Sequence, residues 1–264
     1  ISNDIYIDAD AFEYNKNLNS LNAKGNVNIE DKIKKFFINS DDVTYYKNFE
    51  KFISKYRSEA YGDGLKILAN EFEYNKVLNI LNASGKVRIE DSIKDVLLFS
   101  EDITYIKNKE KIFTQGNTEA IIESKYNFMS KDAVLLRNEM QLSSAEKTTV
   151  KDGEGSVYYL NNFDYSINEK LLKGNNVKIV TNFEKKKSDQ FIFSSGIFNL
   201  KDKKFIGKDT EILLHKTIFD KEKEKFLELI EKTEINKMIN QNLIFENEPR
   251  LYGISSYGND DKTV

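Results

Sequence analysis

Apolar side chains recur at every second position over short stretches of this chain: Ile5, Ile7 and Ala9, and then Phe12 and Tyr14. A period of two is the signature of a β-strand with one buried face. The step from Ala9 to Phe12 breaks the parity by one residue, and a bulge or bend in mid-strand returns the inward face to register. Polar clusters such as Tyr14-Asn15-Lys16-Asn17 and Lys107-Asn108-Lys109-Glu110 close the stretches and carry turn chemistry. Pieces of about 15 residues result, starting at Ile5, Lys35, Lys66 and Asp95, and they extrapolate to roughly 14 to 16 bent strands. The rhythm runs, more loosely, to Lys216. From Asp220 the apolar positions Phe226, Leu229, Ile230, Met238, Ile239 and Leu243 predict a helix or paired helices, with Asp220 as the cap. The expected organisation is one β-domain over 1–218, a helical insertion over 219–248, and final strands over 249–264.

The pattern repeats at a longer interval. The segment ADAFEYNKNLNSLNAKGNVNIED from Ala9 returns as ANEFEYNKVLNILNASGKVRIED from Ala69, and SDDVTYYKNFEK from Ser40 returns as SEDITYIKNKEK from Ser100. Such self-similarity means stacked copies of one supersecondary unit that together bury a continuous interior. Antiparallel bent strands stacked in this way give an all-β fold in which two half-sheets face each other. The inward positions are then Ile7, Ala9, Phe12, Tyr14, Leu21, Ala23, Val27 and Ile29 in one copy. In the next they are Ala69, Phe72, Tyr74, Leu81, Ala83, Val87 and Ile89. Two readings of that interior are open: a close-packed core, or walls that stand apart around an apolar ligand, with the small residues Ala9, Ala23, Ala69 and Ala83 leaving the room.

Composition narrows the functional classes. The 264 residues carry a formal net charge of -3, which gives no electrostatic case for nucleic acid or an anionic membrane. Cys is absent, so the sequence carries no disulfide or thiol marker of its compartment. No signal peptide starts at Ile1, and the abrupt ends at Ile1 and Val264 fit a mature fragment of something longer. His215 is the only His, so zinc sites and Ser-His-Asp triads lack parts. The recurring acidic pairs Glu30-Asp31 and Glu90-Asp91, and Asp41-Asp42 and Glu101-Asp102, are expected to be solvated turns, since an active site is not copied from one repeat to the next. Gly62-Asp63-Gly64 and Gly153-Glu154-Gly155 read as tight turns, and Lys185-Lys186-Lys187 as a hairpin tip. The expectation is a protein with no catalytic residues, metal or cofactor. The first strand, with Ile5, Tyr6 and Ile7, carries none of the residues that usually block an edge, and is expected to pair with a partner's sheet.

The repeated unit, Ala9, Phe12, Tyr14, Asn15, Asn19, Leu21, Ala23, Gly25, Val27, Ile29 and Asp31, matched by Ala69, Phe72, Tyr74, Asn75, Asn79, Leu81, Ala83, Gly85, Val87, Ile89 and Asp91, resembles the OstA/LptA-like β-jellyroll family of lipopolysaccharide transport. The tail PRLYGISSYGNDDKTV from Pro249 is similar to the stretch leading out of the N-terminal jellyroll of the family's outer-membrane members, in which a Cys-containing segment and a large β-barrel follow. The helical stretch departs from the commoner form. The resemblance implies a domain at the periplasmic face of the Gram-negative outer membrane. Its first edge would receive an LptA-type jellyroll, its interior the lipid A acyl chains of lipopolysaccharide, and its far end would pass them to a barrel and the lipoprotein LptE. The alternative is a stand-alone LptA-type bridge protein. A structural or carbohydrate-active repeat protein is a third class, but it calls for one-residue ladders or a clustered charged site, and neither is seen.

Overall fold

The computed structural model describes residues 5–181, 183, 188–215 and 250–258. The chain is all-β with antiparallel strands, as expected, and the strand segments number 21 because bends divide several strands in two. The helical expectation over 219–248 lies outside the described residues, as do Lys185-Lys186-Lys187. The tail contributes one strand, Arg250–Gly258. The described residues fall into two compact units, 5–148 with 162–170, and 149–161 with 171–258.

In the first unit the repeat is a repeat of register. Strand Ser20–Asp31 pairs with Phe36–Tyr46, and its register jumps between Lys24↔Asp42 and Val27↔Ser40. Strand Ile80–Asp91 pairs with Val96–Ile106, and the jump falls between Ser84↔Asp102 and Val87↔Ser100, the same place one repeat on. Each jump is a bend built on two successive left-handed residues, Gly25 with Asn26 (φ 73° and 45°) and Gly85 with Lys86 (φ 74° and 54°). A Cβ on Gly25 would strike the Asp10 side chain and one on Gly85 that of Asn70, so glycine answers both the backbone conformation and the close approach. Opposite each bend the neighbouring strand is interrupted. Ile5–Asp8 and Ala11–Asn15 flank Asp10, and Leu65–Ala69 and Glu71–Asn75 flank Asn70. This is the parity break between Ala9 and Phe12.

The bends divide the unit into two half-sheets, each with its own row of turns. On one rim the first residue of each turn donates its backbone N–H to the carbonyl at the end of the turn before: Lys47 to Asn19, Lys76 to Glu50, Lys107 to Asn79, Arg137 to Glu110 and Ile167 to Met140. On the other rim Ser92 donates to Gly64 and Glu123 to Asp95. Hydrogen bonding thus carries each rim from repeat to repeat, and satisfies turn groups that a simple hairpin stack would leave to water.

The second unit pairs Val157–Leu160 with Leu171–Val180, then Gln190–Asn199, Lys204–Leu213 and Arg250–Gly258 in antiparallel order. Its interior is a cluster of Phe191, Phe193, Phe198 and Phe205 with ring centroids 5.3 to 6.5 Å apart. Gly196 and Gly207 are required there, because a Cβ on either would enter the ring of Phe198 or Phe193.

Candidate lipid-binding interior

Most of the inward positions expected from the sequence converge. Ala23, Val27, Ile29, Ala69, Phe72, Tyr74, Leu81, Ala83, Val87 and Ile89 are all buried between the half-sheets of the first unit, joined by Ile38, Ile67, Leu98 and Ile112. Tyr45, Phe52 and Tyr74 stack in a row along one half-sheet, at 4.5 and 6.3 Å, and Phe36 of the other half-sheet meets Tyr74 at 5.1 Å. Phe128, Phe163, Tyr126 and Tyr165 form a second aromatic cluster further along. Ile67, Ile89, Leu98 and Ile112 are fully buried. The half-sheets are therefore in contact, and Ala23, Ala69 and Ala83 are buried while Ala9 is half-buried.

The first repeat is different. Phe72 and Tyr74 are 2% exposed, but their counterparts Phe12 and Tyr14 are 52% and 58% exposed. Ile7, Ala9 and Leu21 are half-buried, Ile5 is buried, and Tyr6 is exposed. The cause is topological. Glu71–Asn75 lies between Lys51–Lys55 and Ile80–Asp91, whereas Ala11–Asn15 pairs only with Ser20–Asp31 among the described residues. Ile5–Asp8 likewise has Ser20–Asp31 alone, while Leu65–Ala69 has both Ser58–Gly62 and Ile80–Asp91. Among the described residues, the first half-repeat thus presents an unpaired edge and an uncovered apolar face.

Sequence reasoning missed two polar features of this interior. Along the crease, where the strands bend, lies a buried row of hydroxyls. Ser58 and Ser40 are 2.9 Å apart, Ser58 donates to Ser54 at 2.8 Å, and Ser54 accepts the backbone N–H of Phe72 at 3.0 Å. Thr114 and Thr118 repeat the contact at 2.7 Å, and Ser130 and Thr148 at 2.8 Å. Ser40 and Ser100 also donate to the carbonyls of Asp42 and Asp102, the residues just past each bend. These hydroxyls satisfy backbone groups that the bend removes from the ladder.

The second feature lies at the mouth, where the two rims meet. Asp31 and Asp91, expected as solvated turns, are 2% exposed. Each caps its own turn from within: Oδ1 of Asp31 accepts the N–H of Lys34 at 2.9 Å, and Oδ1 of Asp91 accepts those of Ile93 and Lys94 at 3.1 and 3.0 Å. The free oxygen of Asp91 takes Nε of Arg137, from the other rim, at 2.7 Å. Arg137 also donates to Glu110 beside it and to the backbone carbonyl of Asp63 across the mouth at 3.3 Å. Burial works against the Arg137 charge, but Asp91 and Glu110 outweigh it and hold its pKa above the usual value. Lys107 crosses in the same way, donating to the carbonyl of Lys34, standing 3.6 Å from Asp63 and lying 4.9 Å over the Phe36 ring. Lys170 pairs with Glu123. Within the second unit, Lys203 pairs with the buried Asp152, whose carboxyl it holds below its ordinary pKa despite burial, aided by the N–H groups of Ser156 and Glu154. Behind the mouth, burial raises the phenol pKa values of Tyr74, Tyr105 and Tyr165, with the charges of Asp31, Glu110 and Glu123 respectively adding to it.

The fold and interior define a class: an all-β repeat protein of antiparallel bent strands, whose two half-sheets enclose an apolar interior. No family model matches the chain, and no curated protein matches it. Among solved structures, similarity is found to LptH, the LptA-homologous periplasmic component of the lipopolysaccharide transport device of Pseudomonas aeruginosa. It is 15% identical, covers 42% of this chain and 81% of its own, and has a TM-score of 0.39.

Proposed function

We propose that this chain is a lipid-handling domain of lipopolysaccharide transport, taking acyl chains between its half-sheets and passing them along the stack without doing chemistry on them. The observation that carries the reading is the repeat itself: one unit, copied in sequence and in register, extends an apolar interior from copy to copy and brings no repeated catalytic group with it. The finer reading is the N-terminal periplasmic domain of LptD, at the outer membrane with LptE. It is supported by the resemblance of the repeated unit and by the tail from Pro249, whose residues Arg250–Gly258 form a strand at the last edge of the second unit. The free first edge, with exposed Phe12 and Tyr14, suits an LptA-type jellyroll strand.

Because the interior is filled by its own side chains, acyl chains displace packing rather than fill a void, and loading requires the half-sheets to separate. Site-specific photocrosslinking to lipopolysaccharide tests the reading. Probes at Phe72 and Val87 are expected to crosslink, and a probe at Lys55, exposed at the crease end of its strand, is not. A folded domain that crosslinks at none of these positions would make the interior a plain core and refute the lipid reading.

A further inference from the structure

Two sets of side chains meet at the mouth of the first unit, and the conduit reading leaves the arrangement of both unexplained. The first is the row of contacts between rims. Lys107, Arg137 and Lys170 stand on one rim at successive turns, and each reaches a carboxylate or carbonyl on the other: Asp63 and Lys34, Asp91 and Asp63, and Glu123. These contacts run through side chains, whereas each rim is held along its own length by backbone hydrogen bonds. A joint made of side chains parts without unmaking any strand pairing. The second set is apolar. Leu18, Phe49, Val77 and Leu78 on one rim, and Ile33 and Ile93 on the other, are at the tips of the turns and more than half exposed. Turn tips are ordinarily polar, and a grouped row of exposed aliphatic and aromatic side chains marks an interaction surface. Lysines alternate with them in the sequence, as in Lys16-Asn17-Leu18, Lys32-Ile33-Lys34, Lys47-Asn48-Phe49 and Lys76-Val77.

We propose that the mouth between the rims is the loading port for an anionic amphiphile. In this arrangement the apolar tips receive its chains and the rim lysines its charged headgroup. The cross-rim contacts of Lys107, Arg137 and Lys170 are the latch that keeps the port shut when unloaded. The inference rests on the lipid-handling reading and adds to it the route of ingress and the residues that govern it. The chemistry of the two sets is complementary to a molecule with acyl chains and phosphate on one headgroup. An anionic headgroup arriving at the rim competes with Asp63 and Glu123 for their lysines, so the ligand itself weakens the latch as it docks.

The chain has no Cys, so thiols can be placed at will. Cysteines at Glu123 and Lys170, bridged by a short bismaleimide, tie the rims together without touching the apolar interior. The probe is lipopolysaccharide with a fluorophore on its sugar, and thermal unfolding verifies that each variant is folded. The bridged protein is expected to load at least tenfold more slowly than the same variant capped by a monofunctional maleimide. Asp63→Asn with Glu123→Gln, which frees Lys107 and Lys170 while keeping their charge, is expected to load several-fold faster than the unaltered chain, and loading no faster would overturn the latch. Equal loading by bridged and capped protein would overturn the port and leave the lipid reading standing, with ingress through the end of the stack. Loading by neither the bridged, the capped nor the unaltered protein would overturn the lipid reading and the port with it.

Discussion

Arg137 and Asp91 join the two rims at 2.7 Å, and one repeat earlier the residue that opens the same turn is Lys76 and the carboxylate is Asp31. Asp31 is as buried as Asp91 and caps the same kind of turn, but its Oδ2 has no hydrogen-bond partner among the described residues. The Tyr74 hydroxyl is also buried without a partner. Lys76→Arg offers Asp31 the guanidinium that Asp91 already has. It is expected to stabilise the fold by about 1 to 2 kcal/mol, read as an upward shift of the denaturation midpoint at unchanged slope.

The reverse change is a larger one. Arg137→Met leaves Asp91 buried and uncompensated, with Glu110 and Tyr105 losing their shared partner. A loss of about 3 to 5 kcal/mol is expected in urea unfolding. Arg137→Met combined with Asp91→Leu should recover a good part of it, because the isolated charge is what costs most.

Phe12 and Phe72 are the same position of the repeat in two settings. Phe72→Ala is expected to cost about 3 to 5 kcal/mol, and Phe12→Ala less than about 1 kcal/mol. Equal costs, measured by chemical denaturation, would mean that the first half-repeat is covered as fully as the second.

The crease hydroxyls make a third comparison. Ser58→Ala removes the bonds to Ser40, Ser54 and the Tyr56 carbonyl at once, and is expected to cost about 1 to 3 kcal/mol. Ser194→Ala, on an exposed hydroxyl of the second unit, should change stability by less than about 0.5 kcal/mol.

Stability should fall at both ends of the pH scale, for opposite reasons. The Asp152 carboxyl has a pKa below its unfolded value, so it contributes stability that is complete above about pH 4 and is lost as pH falls through the folded pKa. Lys203→Met should remove that acid dependence from the second unit. The phenols of Tyr74, Tyr105 and Tyr165 have raised pKa values, so their contribution is complete below about pH 10 and is lost as pH rises towards the folded values. Ultraviolet titration should show these three tyrosines ionising together with alkaline unfolding.

The backbone plan was legible because its signals are local. Period-two alternation, polar turns and the parity break at Ala9 follow from strand geometry, and the return of the pattern at Ala69 gives the stacking. Burial at the end of the stack was not legible, since Phe12 and Phe72 have the same neighbours in sequence and differ only in which strands flank them in space. Nor was the latch. Asp31 and Asp91 look like turn residues because they are, and their burial depends on the opposite rim, which the strand pattern does not encode. A comparison of the copies for charge does bear on it: Lys76 and Arg137 each open the same turn of the repeat, so a basic residue recurs at that place.

The uneven flanking of Phe12 and Phe72 gives the first unit a polarity that its repeat lacks. At one end are an unpaired edge, uncovered rings at Phe12 and Tyr14, and the orphaned oxygen of Asp31; further along are full flanking strands and the Arg137 cluster. In a stack where each copy leans on its neighbours, opening begins where neighbours are fewest. Amide exchange should therefore run as a wave from Ile5 inward. Such a soft end and a stiff end make a one-way object out of near-identical parts.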